Sequence, residues 1–138
     1  VWKLNAYVVL TNHLHRIAAG KTGFQLSDTL RDFKKFTAHT LLTEIKKPQE
    51  SRKDWMLKRF EFAAARHKRN SEFQFWTHEN HPVELHSKKF IHQKLNYIHN
   101  NPCKGKWRLA ESPVEYLHSS CQYYDTGKQG IFFIENII

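Results

Sequence analysis

Tyr7-Val8-Val9-Leu10-Thr11-Asn12-His13-Leu14-His15 is the stretch on which the reading of this chain turns. Its aromatic and β-branched start favours a strand, read here as Lys3 to Leu10. Thr11-Asn12 then serves as a two-residue turn, and His13 to Ala19 returns as the second strand of a hairpin. Side chains alternate along a strand, so His13 and His15 share one face while Leu14 anchors the other. Two imidazoles so placed can grip one divalent cation. Imidazole accepts many metals, so the pair indicates a metal more firmly than it indicates which. Solvated surface histidines are the bland alternative.

Outward from the hairpin, the pattern alternates helical and extended stretches. Gly20 to Gly23 is a loop, and Ser27 or Asp28 is expected to cap a helix whose Leu30, Phe33, Thr37 and Leu41 trace one face. Pro48 closes that region. Ser51-Arg52-Lys53-Asp54 opens a second helix, in which Trp55, Met56, Phe60, Ala63 and Ala64 are expected to face the core. His67-Lys68-Arg69-Asn70-Ser71 reads as a basic loop. Phe73 to Trp76 reads as a short strand, and Val83 to Leu85 as an extension of the sheet edge. Ser87 caps a further helix that sends Phe90, Ile91, Leu95 and Ile98 inward. Pro102 ends it, because the residue before a proline is driven out of helical geometry. A turn at Glu111-Ser112-Pro113, a tyrosine-rich stretch and the apolar Ile131 to Ile134 follow.

With 138 residues, the simplest organisation is a single domain over residues 1–138. The apolar fraction of 40% and aromatic fraction of 14% suit a packed globule rather than a disordered chain. Lys and Arg number 22 against 13 Asp and Glu, a formal charge of +9. Such an excess points to a polyanion, nucleic acid before a membrane surface. No apolar run is long enough to span a bilayer, so no membrane partner is expected. Cys103 and Cys121 have neither metal nor redox spacing and read as plain thiols. Candidate contacts for a nucleic-acid backbone are Arg31, Lys34, Lys35, Arg52, Lys53, Lys68 and Arg69, a solvated basic surface being the alternative. Phe75 and Trp76 either stack unpaired bases or pack in the core.

At about 100° per residue, the helix opened by Ser87 groups Ile91, Leu95 and Ile98 on one side. Tyr97 and Asn101, four residues apart, share the margin of that face. A tyrosine at such a margin ordinarily packs its ring and wets its hydroxyl.

Two segments together resemble a known family. The hairpin Tyr7 to His15 resembles the histidine-bearing signature of single-tyrosine HUH transposases, and Leu95-Asn96-Tyr97-Ile98-His99-Asn100-Asn101-Pro102 resembles their tyrosine helix. Leu26 to Thr37, Phe73 to Trp76 and Pro113 to Ser120 are similar to the subgroup associated with palindromic repeats. The resemblance implies an α+β fold: a ferredoxin-like antiparallel sheet with helices packed on one face. It also implies a DNA transposase or endonuclease that cuts and rejoins single-stranded DNA near hairpins through a 5′-phosphotyrosine. Tyr97 would then be the nucleophile, His13 and His15 metal ligands, Asn101 a third ligand, and Mg²⁺ or Mn²⁺ the cofactor. A cytoplasmic, nucleoid-associated protein acting as a monomer or homodimer is the corresponding setting.

The sequence departs from that pattern in places. The family's first strand and helix would precede Val1, so the fold is expected to be N-terminally truncated. Arg16 stands where an apolar residue is usual and is expected to strain a core on the Leu14 side. Asn101-Pro102-Cys103-Lys104-Gly105-Lys106 departs from the usual continuation. These departures favour the alternative of a catalytically inactive module that binds single strands or hairpins. A third reading, a nuclease cutting with activated water, would use His78, His81 and His86 near Glu79.

Overall fold

The computed structural model describes residues 2–69, 71–106 and 108–138. Val1 and Asn70, each part of an expectation above, lie outside them. The fold is α+β: a two-stranded antiparallel sheet and four α-helices among the described residues. The chain divides into two compact units, one of residues 1–26 and 83–138, the other of residues 27–82.

In the first unit, β1 (Trp2–Val9) and β2 (Leu14–Gly20) form the expected hairpin. The Leu10 amide donates to the His13 carbonyl at 2.9 Å, which closes a tight turn over Thr11-Asn12. Val8 pairs with His15 and Ala6 with Ile17, so these four side chains share a face. The helix α3 (Lys88–Asn100) covers that face, and Ala6, Val8, Ile17, Leu95 and Ile98 make one buried cluster. Ser87 caps α3 as its sequence predicts, its hydroxyl accepting from the Phe90 amide at 3.2 Å. A short 3-10 turn, Asn101–Cys103, takes over before the chain turns away.

A bulge between Leu4 and Ala6 inserts Asn5 into β1. Asn5 is buried and bonded on both sides of the chain path: its Nδ2 donates to the Glu135 carbonyl at 2.9 Å, and its carbonyl accepts from the Tyr124 hydroxyl at 2.7 Å. The outer edge of β1 is closed by irregular chain instead of a third strand. The Val9 amide donates to His118, the Ser120 amide to Tyr7, and the Glu135 amide to Leu4, all at about 3 Å. On the face opposite α3, Phe132 meets the Tyr7 ring edge-on at 5.1 Å. The short helix α4 (Cys121–Thr126) lies between these strapping segments in the sequence.

Arg16 does not strain this arrangement. Its guanidinium carbon sits 4.1 Å from the centre of the Trp2 ring, a cation–π contact that lets a charged group lie against an apolar surface. Burial brings its pKa down to about 10, so it remains charged at neutral pH. Val83 to Leu85 carries no strand and extends no sheet.

The second unit holds α1 (Leu26–Ile45) and α2 (Lys53–Arg66). α1 begins at Leu26, so Ser27 and Asp28 occupy its first turn rather than its cap. Phe73 to Trp76 forms no strand. Its rings instead link the two helices in a ladder: Phe33 of α1 against Trp76 at 6.1 Å, Trp76 against Phe75 at 5.2 Å, and Phe75 against Phe60 of α2 at 5.2 Å. The Trp76 indole N–H donates to Thr37 Oγ1 at 2.9 Å, and the Gln74 amide to the Phe60 carbonyl at 3.0 Å. Phe75 and Trp76 are therefore half-buried against α1 and α2. Trp55, expected there, is 61% exposed.

Candidate active site

The α3-facing side of the hairpin extends past its buried cluster to His15 and then to His13 at the tip. His15 is half-buried, and His13 is exposed. Their rings meet edge-on with centroids 5.1 Å apart. Tyr97, from the third turn of α3, meets His15 edge-on at 5.4 Å. Three aromatic groups from opposite ends of the sequence thus meet at one spot, because β2 presents His15 on the side that α3 covers.

The hydrogen bonding of the two imidazoles suits them to a cation. Asn12 Oδ1 lies 2.6 Å from His13 Nδ1. An amide oxygen only accepts, so the His13 ring donates from Nδ1 and turns its Nε2 away from Asn12. The buried Nε2 of His15 has no hydrogen-bond partner, a costly state for a nitrogen cut off from water unless something occupies it. Burial, with smaller contributions from His13 and Lys94, lowers the His15 pKa and keeps the ring neutral at pH 7. A neutral imidazole can donate a lone pair to a divalent cation, and the pair does not select which. Among the described residues no group of three or more His, Cys, Asp and Glu gathers at one place, so an amide or solvent oxygen would have to complete the set. Asn101 sits half-buried at the end of α3, one turn beyond Tyr97.

Tyr97 is 47% exposed and is the one tyrosine among the described residues so open to solvent. Tyr116 and Tyr124 donate their hydroxyls to the β1 carbonyls of Val9 and Asn5, each at 2.7 Å. Two ammonium groups lie near the Tyr97 ring: Lys94 Nζ at 5.9 Å and Lys104 Nζ at 5.6 Å from its centre. With Gln93, Asn96 and Asn100 they line an open groove of about 290 Å³ beside the ring. Cations and amides of this kind suit a phosphodiester. Lys94 was legible in the sequence at i−3 from Tyr97; Lys104 was not, since it lies beyond the helix end.

His99, also in the tyrosine helix, has a different task. It is buried, its Nε2 is 2.9 Å from Ser120 Oγ, and burial lowers its pKa to about 4. Ser120 Oγ in turn accepts from the Tyr7 amide at 3.0 Å. This chain ties α3, β1 and the 118–120 segment together, and so fixes the helix that carries Tyr97.

All seven basic residues singled out from sequence belong to the other unit. Arg31 is paired with Asp28 at 2.8 Å and Asp32 at 3.1 Å, and Arg52 with Glu50 at 3.1 Å. Lys34 Nζ donates to the Thr77 carbonyl at 2.7 Å, and the Arg69 guanidinium contacts the His78 ring. Lys35 and Lys68 are exposed, and Lys53 is half-buried. His81 and His86 are each near a different glutamate, Glu79 and Glu84, and do not assemble with His78. No helix among the described residues is long and apolar enough to cross a membrane. Comparisons with protein-family models, with curated proteins and with solved structures returned no match.

Proposed function

We propose that this protein cuts and rejoins single-stranded DNA beside hairpins formed by palindromic repeats, as a metal-dependent transposase or endonuclease with Tyr97 as nucleophile. The observation that carries the reading is the edge-on contact of His15 with Tyr97 at 5.4 Å, with His13 a further 5.1 Å away. It joins an imidazole pair to the one tyrosine among the described residues that is exposed to solvent. The hairpin with α3 on one face is compatible with a ferredoxin-like sheet.

His13 Nε2 and His15 Nε2 would hold Mg²⁺ or Mn²⁺, with Asn101 supplying an oxygen. When bound, the cation supplies charge relief at the nonbridging oxygens of the scissile phosphate. Lys94 and Lys104 hold the same strand by its phosphates and keep the reacting phosphorus beside the ring. Tyr97 Oη attacks phosphorus as its proton passes to water. The new O–P bond forms while the bond to the 3′ oxygen breaks, and that oxygen leaves as a 3′-hydroxyl after taking a proton. The 5′ phosphate stays joined to Tyr97. A second 3′-hydroxyl reverses the step, displacing the phenol and resealing the strand without an outside energy source.

Incubation of the chain with hairpin-bearing single strands and Mn²⁺ tests this. A cut strand with a covalent adduct mapped to Tyr97 is the expected result. An adduct on Tyr123, or cutting with no adduct, overturns the assignment. Tight hairpin binding with no cutting under any divalent cation supports the non-catalytic module instead.

A further inference from the structure

The exposed side of α2 combines two features that ordinary protein surfaces keep apart. Trp55 and Phe62 are 61% and 68% exposed, large apolar rings with no core to fill. Spaced seven residues apart, they lie on one side of the helix, about 10 Å apart along its axis. Lys58, Arg59 and Arg66 stand beside them on the same side, and together these residues line an open groove of about 480 Å³ with no carboxylate in its lining. The Arg59 guanidinium lies 5.6 Å from the centre of the Trp55 ring. A buried helix face would not carry three cations, and a merely solvated one gains nothing from two bare aromatic rings.

Aromatic rings interleaved with cations match one ligand chemistry: unpaired bases with their phosphates. Duplex DNA hides its base faces and offers such rings nothing to stack on. We propose that this face of α2 binds a single-stranded nucleic acid, with bases stacked on Trp55 and Phe62 and phosphates held by Lys58, Arg59 and Arg66. The spacing of the rings corresponds to about three stacked nucleotides at about 3.4 Å each. This surface is additional to the groove beside Tyr97, and it rests on the proposed function only for taking the polymer to be DNA.

The test uses the full chain in EDTA, so that no cutting occurs, and an unstructured oligothymidine of about 15 nucleotides, within the usual span of single-strand sites. Affinity is read by fluorescence anisotropy at several salt concentrations. Trp55→Ala and Phe62→Ala should each weaken binding about tenfold or more, with helix content and thermal unfolding unchanged, since both rings are exposed. Trp55→Phe should retain most of the affinity. The double variant Lys58→Gln, Arg59→Gln should reduce the slope of log affinity against log salt by about 1.4, two phosphates' worth. Unchanged affinity in both alanine variants overturns the proposal, as does equal binding of a duplex of the same length or no binding by the wild type. Conversion from dimer to monomer in Trp55→Ala, with DNA affinity unchanged, overturns it in favour of an interface between copies. Ring-dependent binding by a wild-type chain that never forms an adduct supports this proposal while removing the Tyr97 assignment, so the two fail separately.

Discussion

The hairpin unit and the 27–82 unit hold themselves together by opposite means. The four buried polar residues among those described, Asn5, His99, Ser119 and Ser120, all belong to the hairpin unit. There, the Ser120 and Tyr124 hydroxyls bond to β1 from more than a hundred residues away, the Asn5 amide of β1 reaches out to the Glu135 carbonyl, and the His99 imidazole bonds Ser120. Buried polar groups bond only in particular directions, so they fix one arrangement rather than a family of similar ones. Residues 27–82 hold no buried polar residue among those described; ring contacts join them, beside half-buried or exposed bonds such as Trp76 to Thr37 and Gln74 to Phe60, and two large rings of α2 stay in water. The contrast separates two demands. A nucleophile must be held to a fraction of an ångström against its metal ligands, whereas a base-stacking surface tolerates any sequence and considerable play.

The largest expected effect breaks or upholds the first half of that contrast. Tyr97→Phe removes one oxygen from an exposed ring, so stability should change by less than about 1 kcal/mol. Cutting and the covalent adduct should both disappear, because phenyl offers no nucleophile. Persistent cutting in this variant, read on a denaturing gel, would show that the order built around α3 serves something other than Tyr97.

Next in size are the two imidazoles. His13→Ala and His15→Ala should each abolish metal-dependent cutting while hairpin affinity in EDTA is retained, since neither ring is needed to hold the strand. Asn101→Ala should be milder, as water can replace a neutral oxygen ligand. A histidine variant that cuts at the wild-type rate would remove the metal assignment.

Both sites differ in how far the sequence disclosed them. β1, β2 and α3 were legible within a residue or so because strand alternation and the Ser87 cap are local signals. The shared face of His13 and His15 followed from strand alternation, whereas the role proposed for Tyr97 came only from the resemblance of its helix to a known family. The straps that close the β1 edge were not legible: 118–120 and 134–135 reach it through isolated backbone bonds, which leave no periodic trace. In the 27–82 unit, periodicity told which residues share a face but not which face meets a partner. Trp55, expected in the core, is accordingly exposed, whereas Trp76 takes the packing alternative of its two readings and is half-buried. Arg16 was misjudged because a guanidinium can lie on an indole ring, a pairing that depends on tertiary approach.

Acid should act first on the hairpin unit. His99 has a pKa of about 4 in the fold against an ordinary 6.5, so between these values the unfolded chain binds a proton that the folded one refuses. The stability His99 confers is therefore complete above about pH 6.5 and lost as pH falls toward 4, by about 3 kcal/mol at the limit. The lowered His15 pKa acts in the same direction. Urea unfolding at pH 7 and pH 4.5 measures the loss, and His99→Gln should flatten the pH dependence by most of it. An equally steep profile in that variant would place the acid sensitivity elsewhere.

The smallest effect probes the other side of the contrast, at the indole bond beside the ring ladder. Trp76 Nε1 donates to Thr37 Oγ1, and that hydroxyl already donates to the Phe33 carbonyl at 2.8 Å. Thr37→Val keeps the shape of the side chain but removes the acceptor, leaving a half-buried indole N–H with no oxygen at that position. The expected loss is about 1 kcal/mol, the ordinary worth of one such bond. Trp76→Phe should lose slightly more, because part of the ring contact with Phe33 goes with the N–H. If the bond is what couples the two changes, the double variant should cost less than their sum, by about the same 1 kcal/mol. Strict additivity in a urea-unfolding cycle would mean that the indole bond contributes nothing to the order of residues 27–82. In either case adduct formation by Tyr97 should be unaffected, since none of its partners is touched.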